Sequence, residues 1–203
     1  MIITADDFGF TEDINKAIIN LINDGLITQT SLMVNNQPGT KHAVDLIHKY
    51  NLKNVGLHFN ITQGQSMSNP NITFSKEKVG SYSEEFIKQE FEAQIKFFKD
   101  SNIYLHHLDS HHNIHLKYKF IENMMKLYNI PVRNDTVDGF NCDGNELNFI
   151  CKLNNTIYEL GTHVALSTKD LYDTVLLENR IKEYEFFYKN SDIIKYFLAL
   201  GSD

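Results

Sequence analysis

The sequence predicts an α/β protein built on a parallel sheet with helical crossovers, from two observations. Strand-like and helix-periodic stretches alternate along the chain, and the residues able to do chemistry fall where strands end. The second pattern favours a (β/α) barrel, whose sites collect at the carboxyl ends of its strands. An open, doubly wound sheet uses the same edge, so pattern alone leaves both.

Met1 to Ala5 reads as a short buried strand. Thr11 then caps a helix through Asp24, with Ile14, Ala17, Ile18, Leu21 and Ile22 on one face, and Gly25 ends it. Thr28 to Val34 is β-rich; after the Pro38-Gly39 break, Lys41 to Tyr50 is helical with Ala43, Val44, Leu46 and Ile47 as its apolar set. Asn54 to Thr62 alternates as a strand, placing Val55, Leu57, Phe59 and Ile61 on one face and Gly56, His58 and Asn60 on the other. The polar loop from Gln63 to Tyr82 is long enough to lie over a site. Ser83 to Asp100 is the clearest helix, with Glu84 and Glu85 in its first turn and an apolar face of Phe86, Ile87, Phe91, Ile95 and Phe98. A strand from Ile103 to Leu108, a helix from Tyr118 to Tyr128, a short strand from Ile130 to Arg133, an irregular stretch to Asn148 and a strand at Ile157 to Gly161 continue the alternation. The remaining tail is helical or mixed.

The 203 residues suit one domain spanning 1–203, since no Pro-, Gly- or Ser-rich stretch divides them. A net charge of −7 with mixed signs gives no basic stripe for a phosphate backbone, which argues against nucleic acid as a partner. The apolar strand at Met1 leaves no room for a secretory leader, and no run approaches the roughly 20 apolar residues of a membrane span. The expectation is a cytoplasmic protein with no membrane partner. Cys142 and Cys151 match no metal-ligand spacing and are read as small buried hydrophobes.

Asp6 and Asp7 are adjacent at the end of a buried strand, a costly place for two like charges unless a cation or a shared proton relieves them. The plainer reading makes one a helix cap and leaves the other solvated. Five of the nine histidines lie between His106 and His115, around Asp109, and neutral imidazole is a common ligand for zinc-like ions. A helix through His111 and His115 would put that pair on one face at i and i+4. His58 leaves an apolar row for a small, polar face, as the lining of a site would. His163 follows a strand and taken alone reads as structural; Arg133 is open between an ion pair with Asp135 or Asp138 and a substrate contact.

Four stretches together resemble the YdjC-type carbohydrate deacetylases, the family that includes chitooligosaccharide deacetylase. They are Ala5-Asp6-Asp7-Phe8-Gly9-Phe10, Gly25 to Asn35, Gly56 to Thr62, and His107-Leu108-Asp109-Ser110-His111-His112-Asn113-Ile114-His115, with Arg133, His163 and Arg180 extending the match more faintly. The resemblance implies a distorted, incomplete TIM-like (β/α) barrel. It also implies a divalent metal, Mg2+ first with Zn2+ or Co2+ as alternatives, held by Asp7, His58 and His111. Asp6 is then the base and His163 the acid, with Asp109, His115 and Arg133 as supporting or substrate-contacting residues. The division between Asp6 and Asp7 follows the NodB-type polysaccharide deacetylases by analogy and is reversible. The implied partner is a small N-acetylated sugar or oligosaccharide, with a homodimer as an allowed assembly. The chain departs from the family pattern at Val164, where Pro often follows the later histidine, and in a short loop 63–82 and a short region after Arg133. The rival expectations are a metal-dependent amidohydrolase or phosphoesterase with another substrate, and a sugar-binding barrel that has lost catalysis.

Overall fold

The computed structural model describes residues 1–36, 38–133, 159–167 and 177–200. Asp135, Asp138, Cys142, Cys151 and the start of the strand expected at Ile157 lie outside the described residues. A five-stranded parallel sheet runs in the order β4-β3-β2-β1-β5, from β1 (Ile2–Phe8), β2 (Gln29–Leu32), β3 (Val55–Phe59), β4 (Leu108–Ser110) and β5 (Glu159–Thr162). Each of the first four strands lies beside its neighbour in sequence, as in the winding of a barrel. Val132 bridges onto Leu108 beyond β4, and β5 returns to the free side of β1. The architecture is an incomplete TIM-like barrel.

The helices form for the reasons legible in the sequence. Thr11 accepts from the Ile14 N–H at 3.2 Å to start α1 (Glu12–Asn23), and Gly25 takes a φ of 69° after it. In α2 (Gly39–Tyr50) the left-handed cap is Asn51, and α3 (Glu84–Asp100) is capped by Ser83. The apolar stripes expected on these helices are buried at Ile14, Ala17, Ile18, Leu21, Ala43, Ile47, Phe91 and Phe98, packed on one side of the sheet. Every residue of β3 is buried because helices cover that face and the polar site covers the other. Short α4 (Ile114–Lys117) and α5 (Lys119–Lys126) follow β4; α6 (Leu177–Lys189) and α7 (Ser191–Leu200) end the described chain. No helix of the described residues is long and apolar enough to cross a membrane.

Three elements differ from expectation. The first strand runs on through both aspartates to Phe8. The fourth forms at Leu108–Ser110 instead of Ile103–Leu108, although pairing with β3 begins where the His106 N–H reaches the Val55 carbonyl at 3.0 Å. Ile103 is buried and Leu105 half-buried as the chain approaches the sheet, while Tyr104 between them is exposed; periodicity does not distinguish this approach from the ladder itself. The loop from Gln63 to Tyr82 is structured: it carries a 3-10 turn at Lys76–Ser81 and buries Phe74 and Val79. Glu90 of α3, itself fully buried, accepts from Ser66 Oγ (2.6 Å), Met67 N (3.1 Å), Ser68 N (2.9 Å) and Ser68 Oγ (2.8 Å). A buried carboxylate that accepts four hydrogen bonds from the loop, and a fifth from Gln94 Nε2 at 2.8 Å, fixes that loop to the helix.

Candidate active site

The inner face of the half-barrel is polar. Thr4 and Asp6 of β1, Gln29 and Ser31 of β2, Gly56 and His58 of β3, Asp109 of β4, and Glu159 and Gly161 of β5 occupy alternate strand positions. The parallel register brings Thr4 beside Gln29 and Gly161, Ser31 beside Gly56, and His58 beside Asp109. Where other barrels fill their interior with aliphatic layers, this one buries charges, and each must find a partner.

Arg133 partners most of them. Its Nη1 and Nη2 donate to Asp6 Oδ2 and Oδ1 at 2.8 and 2.7 Å, Nη2 also lies 2.7 Å from Asp109 Oδ2, and Nε donates to Glu159 Oε1 at 2.8 Å. Such a fork fixes the plane of the Asp6 carboxylate. Glu159 also accepts from Thr4 Oγ1 at 2.8 Å, and Ser31 Oγ donates to Asp109 Oδ2 at 2.5 Å. Burial alone would raise the Asp109 carboxyl; Arg133 and His58 outweigh it and hold it well below the usual carboxylate range.

Adjacent residues of a regular strand face opposite ways, yet Asp6 and Asp7 both serve this interior. The register of β1 on β2 shifts between Ala5 and Phe8, and Asp7 takes a φ of 63°, in the left-handed region. Asn15 of α1 holds the turn that follows, accepting from the Gly9 N–H at 2.6 Å and donating to the Gly39 carbonyl at 2.9 Å.

Asp7 is fully buried, and its Oδ1 lies 3.0 Å from His111 Nδ1 and 3.3 Å from His58 Nε2. Among the described residues, Oδ1 and His58 Nε2 make no hydrogen bond, and both are buried. His58 Nδ1 meets Asp109 Oδ1 at 2.7 Å, which orients the ring and leaves Nε2 for the site. Burial would lower His58, but Asp109 dominates, with Asp6 and Asp7 adding to it, and raises it to about 10. Ligand atoms of Asp7, His58 and His111 all lie within 4.8 Å of one another, as a metal ion would require. Asp6, His58 and Asp109 meet the same distance test, but the Arg133 guanidinium already supplies their positive charge. The orphaned carboxylate oxygen and imidazole nitrogen belong to the first set, which therefore fits a cation.

The other expected residues sit nearby in different ways. His163, at the end of β5, points Nε2 to within 3.8 Å of Asp6 Oδ2, with its side chain 31% exposed. Burial lowers it despite the pull of Asp7 and Asp6, which favours the neutral imidazole. His115 does not share a helical face with His111. His112 and Asn113 take φ values of 57° and 52° and break the helix, and His115 turns to Ser110 Oγ at 2.5 Å and the Arg133 carbonyl at 3.0 Å. His115 thus braces the backbone that carries Arg133.

Several contributors carried little or no sequence signal. Ser31 and Glu159 are ordinary strand residues until the register gathers them. Arg180 of α6 donates from Nη2 to Asp7 Oδ2 at 2.5 Å. One turn on, Glu183 accepts from Thr162 Oγ1 and from the His163 N–H, each at 2.7 Å, and burial pushes its carboxyl up to about 7 against those bonds.

A family model described as YdjC-like protein matches residues 1–174. Among curated relatives, a carbohydrate deacetylase of Halalkalibacterium halodurans is 30% identical over 91% of this chain and 93% of its own length. Carbohydrate deacetylase 2 of Listeria innocua is 37% identical over 69% of this chain and 62% of its own length. A crystal structure from Enterococcus faecalis, of a protein named for cellobiose-phosphate cleavage, superposes with a TM-score of 0.74. It does so over 98% of this chain and 93% of that one, at 22% identity, a likeness of fold. The motifs, the half-barrel and these matches agree, and the chain belongs to the YdjC-like family.

Proposed function

We propose that the chain is a metal-dependent carbohydrate deacetylase that removes the acetyl group from a small N-acetylated amino sugar, releasing acetate. The observation that carries this reading is the orphaned pair Asp7 Oδ1 and His58 Nε2, buried beside His111 and next to a carboxylate, Asp6, that Arg133 holds in a fixed plane. The carbohydrate deacetylase relatives supply the substrate class.

Asp7, His58 and His111 would hold the ion. When bound it supplies a Lewis acid for the acetamide carbonyl and lowers the pKa of a water. Asp6 accepts the proton of the attacking water. His163, 3.8 Å from Asp6, is placed to take that proton on and deliver it to the departing amine. Asp109 keeps Nε2 of His58 turned to the site, and Arg133 and His115 keep Asp6 in place. The resemblance puts magnesium first, but two imidazole nitrogens in the donor set suit zinc or cobalt better, since magnesium prefers oxygen. Ser66, Met67 and Ser68 spend their polar groups on Glu90, so sugar contacts are not sought there.

The test is acetate release from diacetylchitobiose and related N-acetylated sugars by metal-stripped protein, with magnesium, zinc, cobalt or manganese added back. Metal-restored release is expected, lost in His111→Ala; full activity in that variant overturns the scheme. His163→Gln should lower turnover while metal uptake stays unchanged. A second reading, a phosphoesterase, draws on Arg180, a buried guanidinium at the site. A p-nitrophenyl phosphate arm separates the two.

A further inference from the structure

Asp7 meets two kinds of neighbour. Its Oδ1 faces His58 and His111, while Oδ2 accepts from Arg180 Nη2 at 2.5 Å. Arg180 lies in the first turn of α6, where a cation opposes the helix dipole. Its guanidinium is nevertheless buried, with Nε and Nη1 lacking partners among the described residues. Burying a cation against a helix N-terminus with two donors unmet is not a stabilising arrangement by itself. The contact it makes with Asp7 is what accounts for its place.

We infer that Arg180 is a positioning residue that occupies one oxygen of Asp7, so that Asp7 presents only Oδ1 between His58 and His111. The inference rests on the metal-site reading above. Two effects follow from electrostatics. Without a metal, the Arg180 guanidinium sets a permanent positive charge 2.5 Å from Oδ2 of the buried Asp7 carboxylate. With a metal, the same charge prevents two-oxygen ligation and weakens the ion's hold, leaving a position for water and substrate.

The helix does not depend on this side chain for its seat. The Arg180 carbonyl accepts from Ala165 N, Glu183 binds Thr162 and His163, Tyr184 accepts from Asn20, and Tyr188 donates to Asp24. Arg180→Met and Arg180→Gln therefore remove the charge while those ties remain.

Cobalt(II) is the probe, titrated by calorimetry into metal-stripped wild type and both variants, with d–d absorption recorded on the loaded proteins and melting followed with and without the ion. Wild type should bind one ion with the intense bands of low coordination. Both variants should melt lower without metal, bind cobalt about tenfold or more tightly, and show weaker bands as Asp7 adds its second oxygen. Wild-type affinity and spectrum in the variants, or weaker binding with an unchanged spectrum, overturn the role given to Arg180. Should Arg180→Met fail to fold, Arg180→Gln decides on the same criteria. No cobalt uptake by wild type overturns the metal reading itself, and this inference with it.

Discussion

Removing the Arg133 guanidinium should be among the most destabilising single changes in the protein. Arg133→Met keeps length and apolar bulk but takes the guanidinium from the buried Asp6 and Asp109, leaving His58 as the partner of Asp109, and strips Glu159 of its Arg133 bond. Breaking one buried pair by removing a partner costs about 3–5 kcal/mol, since the remaining charge is left in low dielectric. Arg133 serves two buried carboxylates, so the upper end applies, softened if one of them takes up a proton. The internal comparison is Lys96–Asp100 on α3, an ion pair with side chains 70% and 57% exposed. Its loss in Lys96→Ala should cost no more than about 0.5 kcal/mol. Urea denaturation of both variants in a chelator isolates the protein term from any bound ion. A loss below about 1 kcal/mol for Arg133→Met would refute the claim that this guanidinium neutralises the barrel interior.

Three further outcomes follow from the same geometry. The Glu183 carboxyl lies above its ordinary 4.5, at about 7, so its stabilisation is complete below about pH 4.5 and falls away as pH rises through about 7, by roughly 3 kcal/mol. Glu183→Gln should remove that slope, and the difference in urea midpoint between wild type and variant at about pH 5 and about pH 8 checks it; parallel curves would contradict it. A Cβ at Gly56 would stand 2.4 Å from the ring of His107, itself buried, so Gly56→Ala should cost about 1–3 kcal/mol by thermal denaturation, and an unchanged melting point would show that the ring moves freely. Asn15→Ala strands the Gly9 N–H and the Gly39 carbonyl and should cost about 2–4 kcal/mol while weakening cobalt uptake, because the turn after Asp7 loosens. Calorimetric titration of that variant tests the second half.

Legible in the sequence were the alternation of strands and helices, the capped α1, the amphipathic α3 and the small polar face of β3 that carries His58. These are local properties: a period of 2 or 3.6 residues, a cap, a turn residue. It also marked Asp6, Asp7 and the histidine-rich stretch as chemically unusual. How they divide was set by the folded backbone. The positive φ at Asp7, a conformation aspartate tolerates but does not require, turns two neighbouring aspartates into one interior. Left-handed His112 and Asn113 send His115 to Ser110 and Arg133 and leave His111 with Asp7. Arg133, which the sequence singled out without settling its partner, lies far along the chain from Arg180 and Glu159. Their meaning comes from a parallel register and a helix docked on β5, which bring distant charges into low dielectric where each must be paired.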